Sequence, residues 1–191
     1  MKRSLGPRAL LYPAPVVVVG SYDADDKPNA MTAAWAGVVC SQPPCVSVSI
    51  RRTRHTHAGI LERRAFTVNV ATQEQVRQVD YLGIASGAAE DKFAAAGLTP
   101  GRATTVDAPC VAEFPVVLEC RLLHALDLGV HTLFVGEVLE MQADEAVLGP
   151  GGLPDIALLR PLVYSPGQMA YYEIGPRLAT AFHVGKGLGP A

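Results

Sequence analysis

The stretch Arg51-Arg52-Thr53-Arg54-His55-Thr56-His57 gathers three guanidiniums, two imidazoles and two hydroxyls into seven residues. A phosphate monoester carries nearly two negative charges and three acceptor oxygens. Guanidinium forks, hydroxyls and helix-start amides satisfy those oxygens together. The pattern predicts a short helix over residues 57–64, directly after this loop, so such amides would be at hand. On these residues alone, a solvated basic loop is the alternative. No nearby carboxylate or thiol completes a metal site around His55 and His57.

Upstream, Pro28-Asn29-Ala30-Met31-Thr32-Ala33-Ala34-Trp35 sets small residues beside polar ones. An extended backbone of that kind can bring its N–H and C=O groups to the hydrogen-bonding edge of a flat ring. An ordinary buried strand is the competing reading, and Trp35 alone would be a core aromatic. Ser86-Gly87 followed by Asp91-Lys92-Phe93 offers a second anion contact through Lys92, against the commoner role of an exposed helix lysine. His131 opens the run to Val138, where a histidine either donates to a ring or carboxamide or fixes a hairpin base. A ring on a small-residue strand and a phosphate in a cationic loop are the two needs of a flavin mononucleotide.

The elements that must position these groups are mostly strands. Val16 to Val19 form a β-branched run, ended by Gly20 and a polar turn. Residues 29–40 read as a second strand before the Gln42-Pro43-Pro44 loop. Cys45 to Ile50 alternate strictly, with Ser47 and Ser49 on one face. Residues 66–70 make a fourth strand. Thr72 with Gln75 fits a capping box opening a helix to about Leu82. A second short helix over 90–96 closes at Gly97. Residues 116–126 and 131–142 alternate on either side of a short turn, the pattern of a long hairpin. Residues 161–164 read as a last strand. Many closely spaced strands with few helices between them predict a mainly β chain with short helices, a closed barrel decorated by helices.

Bulk properties narrow the function classes. A chain of 191 residues with 49% hydrophobic and 18% charged residues has the composition of one globular domain. A formal net charge of −2 and few aromatics argue against nucleic acid as a partner. An oligonucleotide-binding barrel using the Arg51–Arg54 loop is the rival they disfavour. No run approaches the ~18 apolar residues of a membrane span, and the prolines near the N-terminus interrupt any signal peptide. The expectation is a cytoplasmic protein without membrane partners. Cys40, Cys45, Cys110 and Cys120 form no C-x-x-C pair and read as reduced core thiols. There is no G-x-G-x-x-G after a strand, no Walker A and no G-x-S-x-G.

Taken in order, the segments resemble the flavin reductase-like FMN-binding split-barrel family, and within it the flavoredoxin type. The residues that carry the resemblance are Pro28 to Trp35, Gln42-Pro43-Pro44, Ser49-Ile50-Arg51, Arg54-His55-Thr56 and Phe66-Thr67-Val68-Asn69. Ser86-Gly87 with Asp91-Lys92-Phe93, Gly97-Leu98-Thr99-Pro100 and His131 to Val138 follow in register. Lys27 departs from the pattern, which carries glycine after aspartate in that turn, and His55 and His57 stand where aromatics are usual. The resemblance implies a split β-barrel domain over residues 13–175, with an extension at 1–12 and a tail at 176–191.

It also implies a homodimer with FMN near the subunit interface. Asn29, Met31, Thr32, Ala33, Ala34 and Trp35 would lie against the isoalloxazine, and Ser49 would also bind the cofactor. Arg51, Arg54, Thr56 and Lys92 would serve the phosphate and ribityl end, Ser86 would bind the cofactor as well, and His131 would lie close to the ring or the nicotinamide. The implied reaction is hydride transfer from NADH or NADPH to flavin N5, which needs no catalytic acid or base. A flavoredoxin-like electron carrier with little nicotinamide activity, or a ferric or other metal reductase, shares every one of these residues.

Overall fold

The computed structural model describes residues 1–188. Its main body is a seven-stranded antiparallel sheet. The strands are β2 (Val17–Tyr22), β3 (Pro28–Ala33), β4 (Ala36–Ser41), β5 (Pro44–Arg51), β6 (Ala65–Val70), β9 (Val116–Asp127) and β10 (His131–Ala143). Their order is β3-β2-β6-β9-β10-β5-β4. The chain passes from β3 at one edge to β4 at the other through only Ala34 and Trp35. Two residues cannot span a flat seven-stranded sheet at about 4.8 Å per strand, so the sheet curls until its edges meet. The Ser49 N–H donates to the Trp35 carbonyl oxygen at 2.8 Å, carrying the β4–β5 pairing on to the Ala34–Trp35 corner.

The predicted single strand over 29–40 is therefore two strands with a corner between them. The first valine run also goes further than expected, through Gly20 to Tyr22. Its four valines are continuous because both faces of the strand are buried. Val17 and Val19 fill the barrel with Met31, Val48, Ile50, Phe66 and Phe134. Val16 and Val18 face a second core with Val79, Leu82 and Phe93. A strand covered on both sides has no polar face to alternate with. Phe66, Phe93 and Phe134 are fully buried, each contributing about 1.5–3 kcal/mol of transfer free energy.

The helices sit where the site needs them. Helix α1 (His55–Arg63) follows β5 and drops Ile60 into the barrel core. Helix α2 (Val76–Ile84) follows a short 3-10 turn in which the Thr72 N–H donates to Gln75 Oε1 at 2.8 Å. Helix α3 (Lys92–Ala96) starts where Asp91 Oδ1 accepts from the Ala94 N–H, and it ends on Gly97 at φ +65°, a conformation that glycine adopts without a Cβ penalty.

Several small elements carry too little periodicity to read from sequence. They are β1 (Ala14–Pro15), the β7–β8 ribbon (Pro100–Arg102 with Pro109–Val111), α4 (Ile156–Leu159) and β12 (Ala170–Tyr172), whereas β11 (Val163–Ser165) is the strand expected at 161–164, begun two residues later. Strand β11 pairs with both β1 and β12, tying the N-terminal segment to the end of the folded chain. Residues 176–188 are exposed and carry no strand, and the rest of the expected tail lies outside the described residues.

Among the described residues no helix is long and apolar enough to cross a membrane, and no group of three metal-ligating side chains converges. Cys45 and Cys120 are buried, as core thiols should be, but Cys40 is exposed on the edge strand.

Candidate functional site

The basic loop, strand β3 and the start of α3 converge on one cavity of about 270 Å³. Strand β3 supplies Asn29 and Met31, and β5 ends on Arg51. Thr53 and Arg54 come from the loop, and His55 and Thr56 are the first residues of α1. Ala85, Ser86 and Gly87 close the far side after α2, with Lys92 beside them.

The lining holds two guanidiniums, one ammonium and three hydroxyls, and no carboxylate. Arg54 occupies the N-cap of α1 without a side-chain cap, and the first turn contains no acidic residue. The leading amides of a nine-residue helix thus face the cavity unpaired by aspartate or glutamate, and such a helix start favours an anion.

Three details sharpen the geometry. Asn29 is only 4% exposed. Its Nδ2 donates to Thr56 Oγ1 at 2.7 Å, joining β3 to α1, while its Oδ1 has no partner. A buried acceptor left alone costs free energy, and a ligand hydroxyl would relieve it. Gly87 lies so close that an added Cβ would stand 2.2 Å from Asn29 Oδ1 and 2.9 Å from His55 Cδ2. Lys92 is buried, not the exposed helix lysine its sequence setting makes the commoner outcome. Its pKa is pushed down to about 8, by burial first and by Arg54 second.

The basic loop divides its labour. Arg51, Arg54 and His55 line the cavity, and His55 Nε2 sits 3.2 Å from Asp23 Oδ2. Arg52 turns away to pair with Asp127. His57 also turns away, with Nε2 2.8 Å from Thr132 Oγ1 and its ring edge-on to Phe134. Burial, then Arg52, lowers the His57 pKa.

A second groove of about 560 Å³ starts at the barrel seam. Ala34, Trp35, Ser47, Ser49 and Leu133 form its floor, and residues 8–11 and 13–15 its wall. Ser47, Ser49 and Arg51 project from the same face of β5, so the strand leads from the first cavity into this groove. Trp35 is 43% exposed, neither a core aromatic nor a residue of the first cavity. Its ring lies 4.7 Å from that of His131, which pairs with Arg51 in the β10–β5 register. Burial, then Arg51, lowers the His131 pKa.

Strand alternation sends two expected residues elsewhere. Ala33 is in the barrel core, and Thr32 Oγ1 donates to the Val79 carbonyl oxygen on the helical side. Conversely, Thr53, His55, Ala85 and Gly87 line the cavity outside the expected set. The N-terminal segment, expected to lie outside the barrel domain, walls the groove. A close approach such as that of Gly87 is made by distant chain, so only the glycine itself hints at it in the sequence.

The flavin reductase like domain matches residues 9–173. The chain belongs to that family. It is similar to the flavoredoxin of Desulfovibrio vulgaris (Miyazaki F), 48% identical over 97% of this chain and 100% of that one, with a TM-score of 0.92. The FMN-binding protein of Thermus thermophilus, solved with bound 1-cyclohex-2-enone, is 28% identical over 94% and 98% of the two chains, with a TM-score of 0.80. The reductase component of a 4-nitrophenol 4-monooxygenase/4-nitrocatechol 2-monooxygenase from Rhodococcus opacus is 33% identical over 62% of this chain and 60% of its own. The family supports flavin as the ligand, and the split barrel of this flavin reductase-like protein is that of its structural neighbours.

Proposed function

We propose that this flavin reductase-like protein binds FMN with its phosphate in the Arg51–Arg54–Lys92 cavity and its ring in the groove at the barrel seam. The carboxylate-free, cation-lined cavity carries this reading. About 270 Å³ is small beside the roughly 300–1,000 Å³ of whole-ligand sites. The cavity therefore suits the phosphate and part of the ribityl chain, and the ring must lie beyond it. From Arg51 to Ser47 the β5 backbone advances about 13 Å at ~3.3 Å per residue, a distance suited to an extended mononucleotide. Asn29 Oδ1, unpartnered in the protein, would accept from a ribityl hydroxyl.

When bound, the flavin supplies the hydride and electron chemistry. The chain's own tasks are to hold the anion, orient the ring and keep one face open. Arg51, Arg54 and Lys92 neutralise the phosphate, and the Thr53, Thr56 and Ser86 hydroxyls donate to its oxygens. The serine side of β5 and the Ala34–Trp35 corner let a flat ring approach the backbone. Half-exposed Trp35 and its neighbour His131 flank the open side, where a nicotinamide would enter.

The activity proposed is that of an NAD(P)H-dependent flavin reductase working as a homodimer. Exposed Leu126, Leu128 and Val130 beside the site offer apolar surface for a second subunit. The 48% identity to a flavoredoxin favours a second reading, a carrier that holds FMN but takes little hydride from nicotinamides. Purified protein mixed with FMN and NADH or NADPH, followed at 340 nm, separates the two. Oxidation above a protein-free blank is the reductase outcome. Retained FMN with no oxidation of either nicotinamide, but reduction by a partner reductase, would replace it with the carrier. Sedimentation of the holoprotein tests the dimer.

A further inference from the structure

The β4–β5 hairpin places Cys40 directly across from Cys45 in its antiparallel register. Paired residues of this kind hold their Cα atoms about 4.5–5.5 Å apart, inside the roughly 4.4–6.8 Å that a disulfide spans. Cys40 is exposed on the edge strand and Cys45 is buried, and both are free thiols. The other two cysteines are not so placed: Cys110 faces Gly101 in the β7–β8 ribbon, and Cys120 pairs with Phe66 and Val138.

We propose that Cys40 and Cys45 form a redox-active dithiol that reacts with small-molecule disulfides and closes into a cross-strand bond. The Cys40 thiolate attacks one sulfur of the small disulfide, forming a mixed disulfide and releasing one thiol. Cys45 then loses its proton to solvent and attacks Cys40 Sγ, forming the Cys40–Cys45 bond and expelling the second thiol. The dithiol gives up two electrons and two protons, and the small disulfide leaves as two thiols.

Exposure assigns the order. Cys40 is reached first, whereas burial, then neighbouring Cys40, raises the Cys45 pKa and keeps it protonated until its partner is engaged. The bond joins residues already opposed in the sheet, so no strand has to move. Cys45 also lies on the face of β5 that carries Ser47 and Ser49 into the groove, so closure would pin edge strand β4 beside the groove floor. The proposal requires no flavin.

Full-length protein as purified, treated with oxidised glutathione and then alkylated, gives the test by mass spectrometry. Both cysteines fall in one tryptic peptide ending at Arg51. The expected result is loss of two hydrogens from that peptide, protection of both thiols and reversal by dithiothreitol. Cys45→Ser should stop at one glutathionyl group on Cys40, and Cys40→Ser should leave Cys45 unmodified. A stable glutathionyl adduct on the wild-type peptide, a bond between two chains on a non-reducing gel, or an unchanged thiol count would each overturn it.

Discussion

Lys92 Nζ donates to the Leu82 carbonyl oxygen at 2.7 Å, so the first residue of α3 is fastened to α2 with its charge held at the cavity wall. With its pKa at about 8, this ammonium titrates in an accessible range. A bound phosphate favours the charged form and raises the pKa of the complex above that of the free protein. FMN affinity is therefore at full strength below pH ~8 and falls above it, by up to about tenfold per pH unit. Fluorescence titration of FMN against wild type and Lys92→Met checks this. The variant should bind more weakly with no step near pH 8, and a matching step in the variant would exclude Lys92 as its source.

The same group predicts the opposite trend for the flavin-free protein. The folded pKa of about 8 lies below the ordinary 10.5, so between those values the unfolded chain binds more protons. Stability without flavin should rise with pH across that window. Urea midpoints at its two ends, compared with Lys92→Met, isolate the contribution.

Gly87→Ala should cost flavin affinity while leaving the barrel folded. A methyl 2.2 Å from Asn29 Oδ1 must push that side chain or the 85–87 turn aside, and both line the cavity. The expected effect is at least tenfold in Kd, equivalent to about 1.4 kcal/mol, with far-UV circular dichroism unchanged. Unaltered affinity would mean that the ligand does not use the Asn29 wall.

Arg54 and Arg52 make a matched pair. Arg54→Ala removes a charge-assisted donor from the cavity and should weaken FMN binding by about 1.5–3 kcal/mol. Arg52→Ala removes a residue already paired with Asp127, an exposed contact of little worth, and should leave Kd nearly unchanged. Equal losses in the two variants would point to a diffuse field instead of a defined phosphate seat.

Sequence patterning makes the long β9–β10 hairpin, strand β5 and the cationic loop legible because each has a local period or a dense local charge. It does not show that Asn29–Cys40 bends at Ala34–Trp35, since the bend follows from sheet closure between strands far apart in sequence. The burial of Lys92 is likewise hidden, because the carbonyl that accepts its hydrogen bond belongs to another helix. Local pattern separates Arg54 from Arg52 no better. Their different fates are decided by Asp127, 75 residues further along the chain.

Glu119 shows what a buried charge can do away from the site. It is 1% exposed, and its carboxylate accepts from the N–H and hydroxyl of both Thr104 and Thr105 and from Gln142 Nε2. Burial opposes its ionisation, but the hydrogen bonds from Thr104 and Thr105 prevail, and the pKa falls below the ordinary 4.5. A carboxyl with a depressed folded pKa stabilises above the unfolded value, and that stabilisation is lost as pH falls through the folded one. Glu119→Gln sets an amide N–H₂ against these donors and should cost about 2–3 kcal/mol at neutral pH. The deficit should shrink below the ordinary carboxylate pKa, as the wild type itself becomes protonated. Urea unfolding of both proteins at neutral and acidic pH measures the difference, and a deficit that does not change with pH would show that the carboxylate's charge is not what holds residues 104–105 against β9.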